Sequence, residues 1–129
     1  MDFPKELKYT ENDEWVRVDG SVGVIGISDY AQEHLSDIVF VDIMAAAGDE
    51  LGKGDTFASV ESVKAAADVY MPIGGTVNEV NEALLDEPEK VNASPYDEAW
   101  LIKIDIADAS ELDALMDADA YKAFCEDRD

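Results

Sequence analysis

Cysteine and histidine occur once each in the 129 residues, as Cys125 and His34. One thiol excludes an internal disulfide and leaves too few soft ligands for a structural zinc site. One imidazole confines any His-rich metal site or Ser-His-Asp triad to the surroundings of His34. Positive charge is also scarce. Nine Lys and Arg stand against 31 Asp and Glu, a net charge of −22. Nucleic-acid binding needs a basic footprint and docking on anionic lipid needs basic clusters, so this balance argues against both. Long apolar runs are missing: the longest uncharged stretch, Val69 to Asn78, is half of the roughly 20 residues a membrane-spanning helix needs. The opening Met1-Asp2-Phe3-Pro4-Lys5-Glu6 has neither an apolar signal core nor an Arg/Ser-rich transit pattern, so a cytoplasmic protein is expected. Neither G-x-G-x-x-G nor a P-loop occurs, which leaves phosphate cradling unsupported.

What is present is enough apolar side chain to fold. Hydrophobic residues make up 47% of the chain, so a packed domain with an acidic surface is expected in place of disorder. The length fits one domain over 1–129, with a core over about 20–106 and a C-terminal helical segment over 110–126. Glu14 to Val18 alternates at period two, Asp19-Gly20 turns the chain, and Val22 to Ile27 returns, which predicts a hairpin. Ser28 reads as the N-cap of a short helix over 29–36. Strands follow at Ile38–Val41, Phe57–Glu61, Ala66–Tyr70, Thr76–Val80 and Trp100–Ile106, with glycines between most of them. Gly20, Gly23 and Gly26 read as strand bulges and turns. Ser110 to Asp113 has a capping-box outline, Leu112, Leu115 and Met116 share a helical face, and a break is expected near Asp117 before Tyr121 and Phe124. Many short strands with few helices predict a mainly β protein, a small sandwich or barrel.

With 31 carboxylates, no pair of them is diagnostic of acid–base chemistry. Lys64 is different, being the only positive charge between Thr56 and Ala67. It falls where two strand runs meet, among small and apolar neighbours, so its amine is expected at a solvent-facing hairpin tip. A plain solubility lysine fits that local feature as well, and the wider pattern decides. The stretch from Gly48 through Val63-Lys64-Ala65, followed by Met71-Pro72-Ile73-Gly74-Gly75-Thr76-Val77, resembles the lipoyl and biotinyl carrier domains. In these domains a lysine at a hairpin tip is covalently modified and a glycine turn follows about eleven residues later, here at Gly75. Biotinyl carriers usually flank the lysine with Met; Val63 and Ala65 favour lipoate. Glu14-Trp15-Val16, Ile25 to Ala31, Leu35 to Val41, Val91 to Tyr96 and Trp100-Leu101 extend the likeness over about 7–126 to the glycine cleavage system H proteins. Departures are small: Asp13 replaces a common His, Ala99 a Gly, and Gly74 a Ser.

The resemblance implies a flattened lipoyl-type β-sandwich (the hammerhead fold) with a few short helices and a C-terminal helix. It implies a carrier without catalysis of its own, bearing lipoate in amide linkage on Lys64, with Glu14 and His34 lining a groove that parks the loaded arm. Its partners would be the pyridoxal-phosphate glycine decarboxylase, which loads an aminomethyl group, and the aminomethyltransferase, which passes the carbon to tetrahydrofolate. Dihydrolipoamide dehydrogenase would reoxidise the dithiol, and a lipoate ligase or octanoyltransferase would install the arm. Two alternatives stay open: a lipoyl domain of a 2-oxoacid dehydrogenase acyltransferase, and a donor that relays lipoyl groups to other proteins. The first is disfavoured because such domains usually place Asp before the lysine, where Val63 stands. The family does not require −22. With 18 Asp, 13 Glu and seven Lys, adaptation to a salt-rich cytoplasm accounts for the charge better than steering to basic partners, because molar salt screens beyond about 3 Å.

Overall fold

Turns with the right chemistry decide where this chain reverses. The computed structural model describes residues 1–128. A two-residue strand β1 (Lys8–Tyr9) precedes β2 (Glu14–Asp19) and β3 (Val22–Ile27). Gly20 holds φ of +65° between the last two, in the left-handed region that glycine enters without steric cost. The hairpin is in regular register from Glu14↔Ile27 to Asp19↔Val22, so Gly23 and Gly26 are not bulges as expected. Gly26 is a close-approach glycine: a Cβ there would lie 2.7 Å from the buried indole of Trp15.

Ser28 caps helix α1 (Asp29–Leu35) by accepting from the Ala31 N–H, as its position predicts. Six strands follow in the order β4 (Ile38–Ile43), β5 (Glu50–Leu51), β6 (Thr56–Ser62), β7 (Ala66–Tyr70), β8 (Gly75–Val80) and, after helices α2 (Ala83–Asp86) and α3 (Lys90–Ala93), β9 (Ile102–Ile106). Together with β1–β3 they pair antiparallel into a six-stranded sheet, β1-β2-β3-β9-β8-β5, and a three-stranded sheet, β4-β6-β7. The mainly β expectation holds. Val16, Ile25, Val41, Phe57, Val60, Val77, Leu101, Ile102 and Ile104 face one another between the sheets and form the main core.

A second cluster joins the chain ends. Leu7, Tyr9, Trp15, Tyr30, Tyr121 and Cys125 pack together, and the Tyr9 and Tyr121 rings stack at 4.4 Å between centroids. The C-terminal segment departs from its sequence pattern. Residues 109–114 form a 3₁₀ turn capped by Asp108, whose carboxylate accepts from the Ser110 N–H, so Ser110 is not the cap. Met116 is then extended and exchanges two backbone hydrogen bonds with Tyr9 (2.8 and 2.9 Å). Helix α4 (Ala118–Arg128) begins after the expected break, where the Asp117 carboxylate accepts from the Ala120 N–H. No helix among the described residues is long and apolar enough to cross a membrane.

Candidate functional site

Lys64 stands on the turn between β6 and β7. Glu61 pairs with Ala66, the Ser62 N–H donates to the Ala65 carbonyl at 2.7 Å, and the Ser62 hydroxyl accepts from the N–H groups of Lys64 and Ala65. The chain thus reverses within four residues, and the serine absorbs donors the turn would leave unpaired. Lys64 is exposed and makes no ion pair among the described residues. An amine held on a rigid turn, unburied and unpaired, fits acylation by another protein.

A cavity of about 190 Å³ opens beside this hairpin. His34 and Leu35 of α1, Ala67 and Asp68 of β7, and Glu14 line it. The two residues expected in a groove therefore line one cavity, although they differ in setting. His34 is exposed, its ring 4.1 Å from that of Tyr30. Glu14 is 1% exposed and is the one buried carboxyl group among the described residues. One oxygen accepts from the Thr10 hydroxyl and the other from the Tyr70 N–H at 3.2 Å. Burial pushes the Glu14 carboxyl above its ordinary value, the charge of Asp13 adds to the rise, and the two donors oppose it.

The loop before Glu14 explains how it is held. The Thr10 hydroxyl accepts from the N–H groups of Asn12 and Glu14, and Asp13 takes a positive φ of 71°. Asp13 turns its carboxylate to α4, where it pairs with Arg128 at 2.6 Å and accepts from the Tyr121 hydroxyl at 2.7 Å. Burial holds the Tyr121 hydroxyl far above its ordinary value, so it stays protonated and donates. The Ser28 hydroxyl is 2.6 Å from the same oxygen and completes the chain from the α1 cap to α4. The Arg128 guanidinium also covers the Tyr30 and Phe124 rings at 4.2 and 4.3 Å. Sequence reasoning missed Thr10 and Arg128. The one signal was Asp13, which stands where relatives commonly have His, but its partner is 115 residues away.

Reach ties the lysine to the cavity. A lysine stem plus a lipoyl chain spans on the order of 12–15 Å. At about 3.3 Å per strand residue, Ala67 and Asp68 lie about 10–13 Å from Lys64 along β7. A two-sheet sandwich with a lone lysine on a hairpin tip and a cavity within one arm's length defines the class of lipoyl-type carrier domains.

Comparison with known proteins narrows the class. The family model described as Glycine cleavage H-protein matches residues 7–128. A glycine cleavage system H protein of Bacteroides thetaiotaomicron is 53% identical over 123 residues, covering 95% of this chain and 97% of its own. One from Carboxydothermus hydrogenoformans is 48% identical over 124 residues, covering 96% and 95%. The crystal structure of a glycine cleavage system H protein from Mycobacterium marinum superposes with a TM-score of 0.83 at 29% identity, covering 93% of this chain and 96% of that one. The chain belongs to the glycine cleavage H-protein family. It is a lipoyl-carrier component of the glycine cleavage system, not a catalyst.

Proposed function

We propose that this chain, acting as one carrier domain in the cytoplasm, bears a single lipoyl group on Lys64. It moves the aminomethyl group of glycine from the pyridoxal-phosphate glycine decarboxylase to the tetrahydrofolate-dependent aminomethyltransferase, and dihydrolipoamide dehydrogenase reoxidises it. The observation that carries the reading is the Ser62–Ala65 turn, which presents a lysine with no ion pair among the described residues beside a cavity within arm's length. When bound, lipoate would supply a cyclic disulfide, whose reductive opening puts the aminomethyl unit on one sulfur and leaves the other as a thiol. Lys64 supplies the amide nitrogen. The β6–β7 turn holds that nitrogen clear of the surface, and the tether raises the effective concentration of its far end at each partner.

Glu14 and His34 take the loaded arm between partners. The carried amine is cationic near neutral pH, and the Glu14 carboxylate gives it a counter-charge in a cavity walled by Ile27, Leu35, Val60 and Val69, which keep bulk water away. His34 closes the outer rim. Attachment is tested by incubating the apo protein with lipoate, ATP and a lipoate ligase: intact mass is expected to rise by one lipoyl group, and Lys64→Ala to gain none. Modification of the Lys64→Ala chain would overturn the assignment.

A further inference from the structure

Seven large apolar side chains stand exposed among the described residues, and three of them, Val39, Phe40 and Val63, gather at the Lys64 end of the three-stranded sheet. Strand register explains the first two. β4 slips against β6 between Ile38 and Phe40, so alternation breaks and Val39 and Phe40 are both exposed while Ile38 and Val41 stay buried. Bulges re-aim side chains in this way. Phe40 pairs with Glu61 and Glu61 with Ala66, a single row across the outer face of the sheet. The Val63 N–H donates to the Asp37 carbonyl at 3.1 Å, which ties the tip carrying Lys64 to the start of β4. Exposures of 52%, 45% and 68% for Val39, Phe40 and Val63 leave each side chain open to a partner. Asp37, Asp42 and Glu61, all exposed, surround them.

The geometry points to the Val39–Phe40–Val63 patch as the docking surface for the enzyme that acylates Lys64, a partner with an apolar centre ringed by basic side chains. This rests on the lipoyl-carrier reading above. Reach selects the partner. Enzymes that work at the sulfur end of the arm stay up to 12–15 Å from the turn, on the order set by its bonds. The acylating enzyme cannot. The Lys64 amine, having lost a proton, attacks the carbonyl carbon of an acyl adenylate; the C–N bond forms, the bond to the phosphate oxygen breaks, adenylate leaves, and a second proton leaves the nitrogen. That carbonyl must come within bonding distance of a nitrogen only about 6 Å from its own Cα, so the enzyme's surface lies on the tip. An exposed aromatic with apolar neighbours is the usual centre of a contact, and the carboxylates set the charge of the partner's rim.

The test uses the full apo chain, lipoate, ATP and a lipoate ligase, with intact mass followed over time at several protein concentrations. The double variant Val39→Thr/Phe40→Ser is expected to lose at least tenfold in kcat/KM, chiefly through KM. Leu85→Ser, an exposed leucine removed elsewhere, is expected to match wild type. Lys64→Ala protein, which cannot be acylated, is expected to inhibit wild-type lipoylation competitively, and to stop inhibiting once Val39→Thr and Phe40→Ser are added. Should the double variant melt early, Asp42→Asn decides, with an expected loss of at least twofold at low salt. Wild-type kcat/KM in a folded double variant, or in Asp42→Asn when it decides, overturns the docking surface. Failure of wild-type Lys64 to take lipoate overturns the carrier reading beneath it.

Discussion

Gly26→Ala puts a methyl group where the structure has no room. The new Cβ would lie 2.7, 2.8 and 2.9 Å from Cζ2, Cε2 and Nε1 of Trp15. Restoring ordinary contact at 3.4 Å needs a shift of about 0.7 Å. The indole cannot make that shift freely, because it is fully buried and its N–H donates to the carbonyls of Ile27 (2.9 Å) and Pro95 (3.1 Å). Overpacking costs about 1–3 kcal/mol, and a weakened indole hydrogen bond adds about 0.5–1.5 kcal/mol. The expected loss is about 2–4 kcal/mol, a large part of the roughly 5–15 kcal/mol a domain possesses. At roughly 4 °C per kcal/mol for a chain of this size, the melting midpoint falls by about 8–16 °C. Circular dichroism melts and urea titrations measure it. A cycle with Trp15→Phe isolates the cause: with the indole gone, Gly26→Ala is expected to cost less than about 1 kcal/mol, a coupling of at least 1 kcal/mol. Equal costs in both backgrounds would refute the clash, and so would a single variant within about 0.5 kcal/mol of wild type.

Glu14→Ala and His34→Ala are expected to speed spontaneous formaldehyde release from the loaded carrier while leaving lipoylation unchanged; equal release rates would leave Glu14 a structural buried carboxyl and His34 a plain surface residue. Burial raises the Glu14 carboxyl in the unloaded chain and a carried ammonium opposes that rise, so release from the wild type is expected to accelerate on acidification as Glu14 protonates, an acid limb that Glu14→Ala lacks. Arg128→Ala is expected to cost about 1 kcal/mol and to be non-additive with Asp13→Asn, since the pair is partly exposed and also stacks on rings; additive melts would show the pair inert. Self-repulsion among 22 net charges is expected to raise the melting midpoint from 0.01 M to 1 M KCl, as screening shortens from about 30 Å to about 3 Å; a flat or falling midpoint would leave docking as the explanation for the acids.

Elements with a period or a turn to announce them were legible in the sequence. The β2–β3 hairpin followed from alternation and Asp19-Gly20, α1 from Ser28, and β7 from the run Ala66–Tyr70. Two-residue strands such as β1 and β5, and four-residue helices such as α2 and α3, carry no period and went unseen. Leu112, Leu115 and Met116 carry helical spacing, yet pairing with Tyr9 pulls Met116 into an extended backbone, a tertiary contact overriding a local pattern. Lys64 was legible because it is alone in its window. Glu14 was legible only through resemblance, since nothing within 31 acids marks the buried one.

That buried carboxylate has a local logic. Its neighbours leave the Thr10 hydroxyl no free role except donor, because that oxygen already accepts from two N–H groups. Glu14 therefore receives an O–H on one oxygen and an N–H on the other. A carboxamide, with one accepting oxygen, would leave one of these donors facing an NH₂ group. The pocket is shaped for two accepting oxygens, and two donors do not exhaust their lone pairs. A buried anion held this way lowers stability until a cation arrives to share it. On the proposed carrier role, such a cost suits a parking site for an intermittently charged arm: the arm on Lys64 would bring an ammonium to the cavity beside β7, and the Glu14 carboxylate would meet it with a counter-charge.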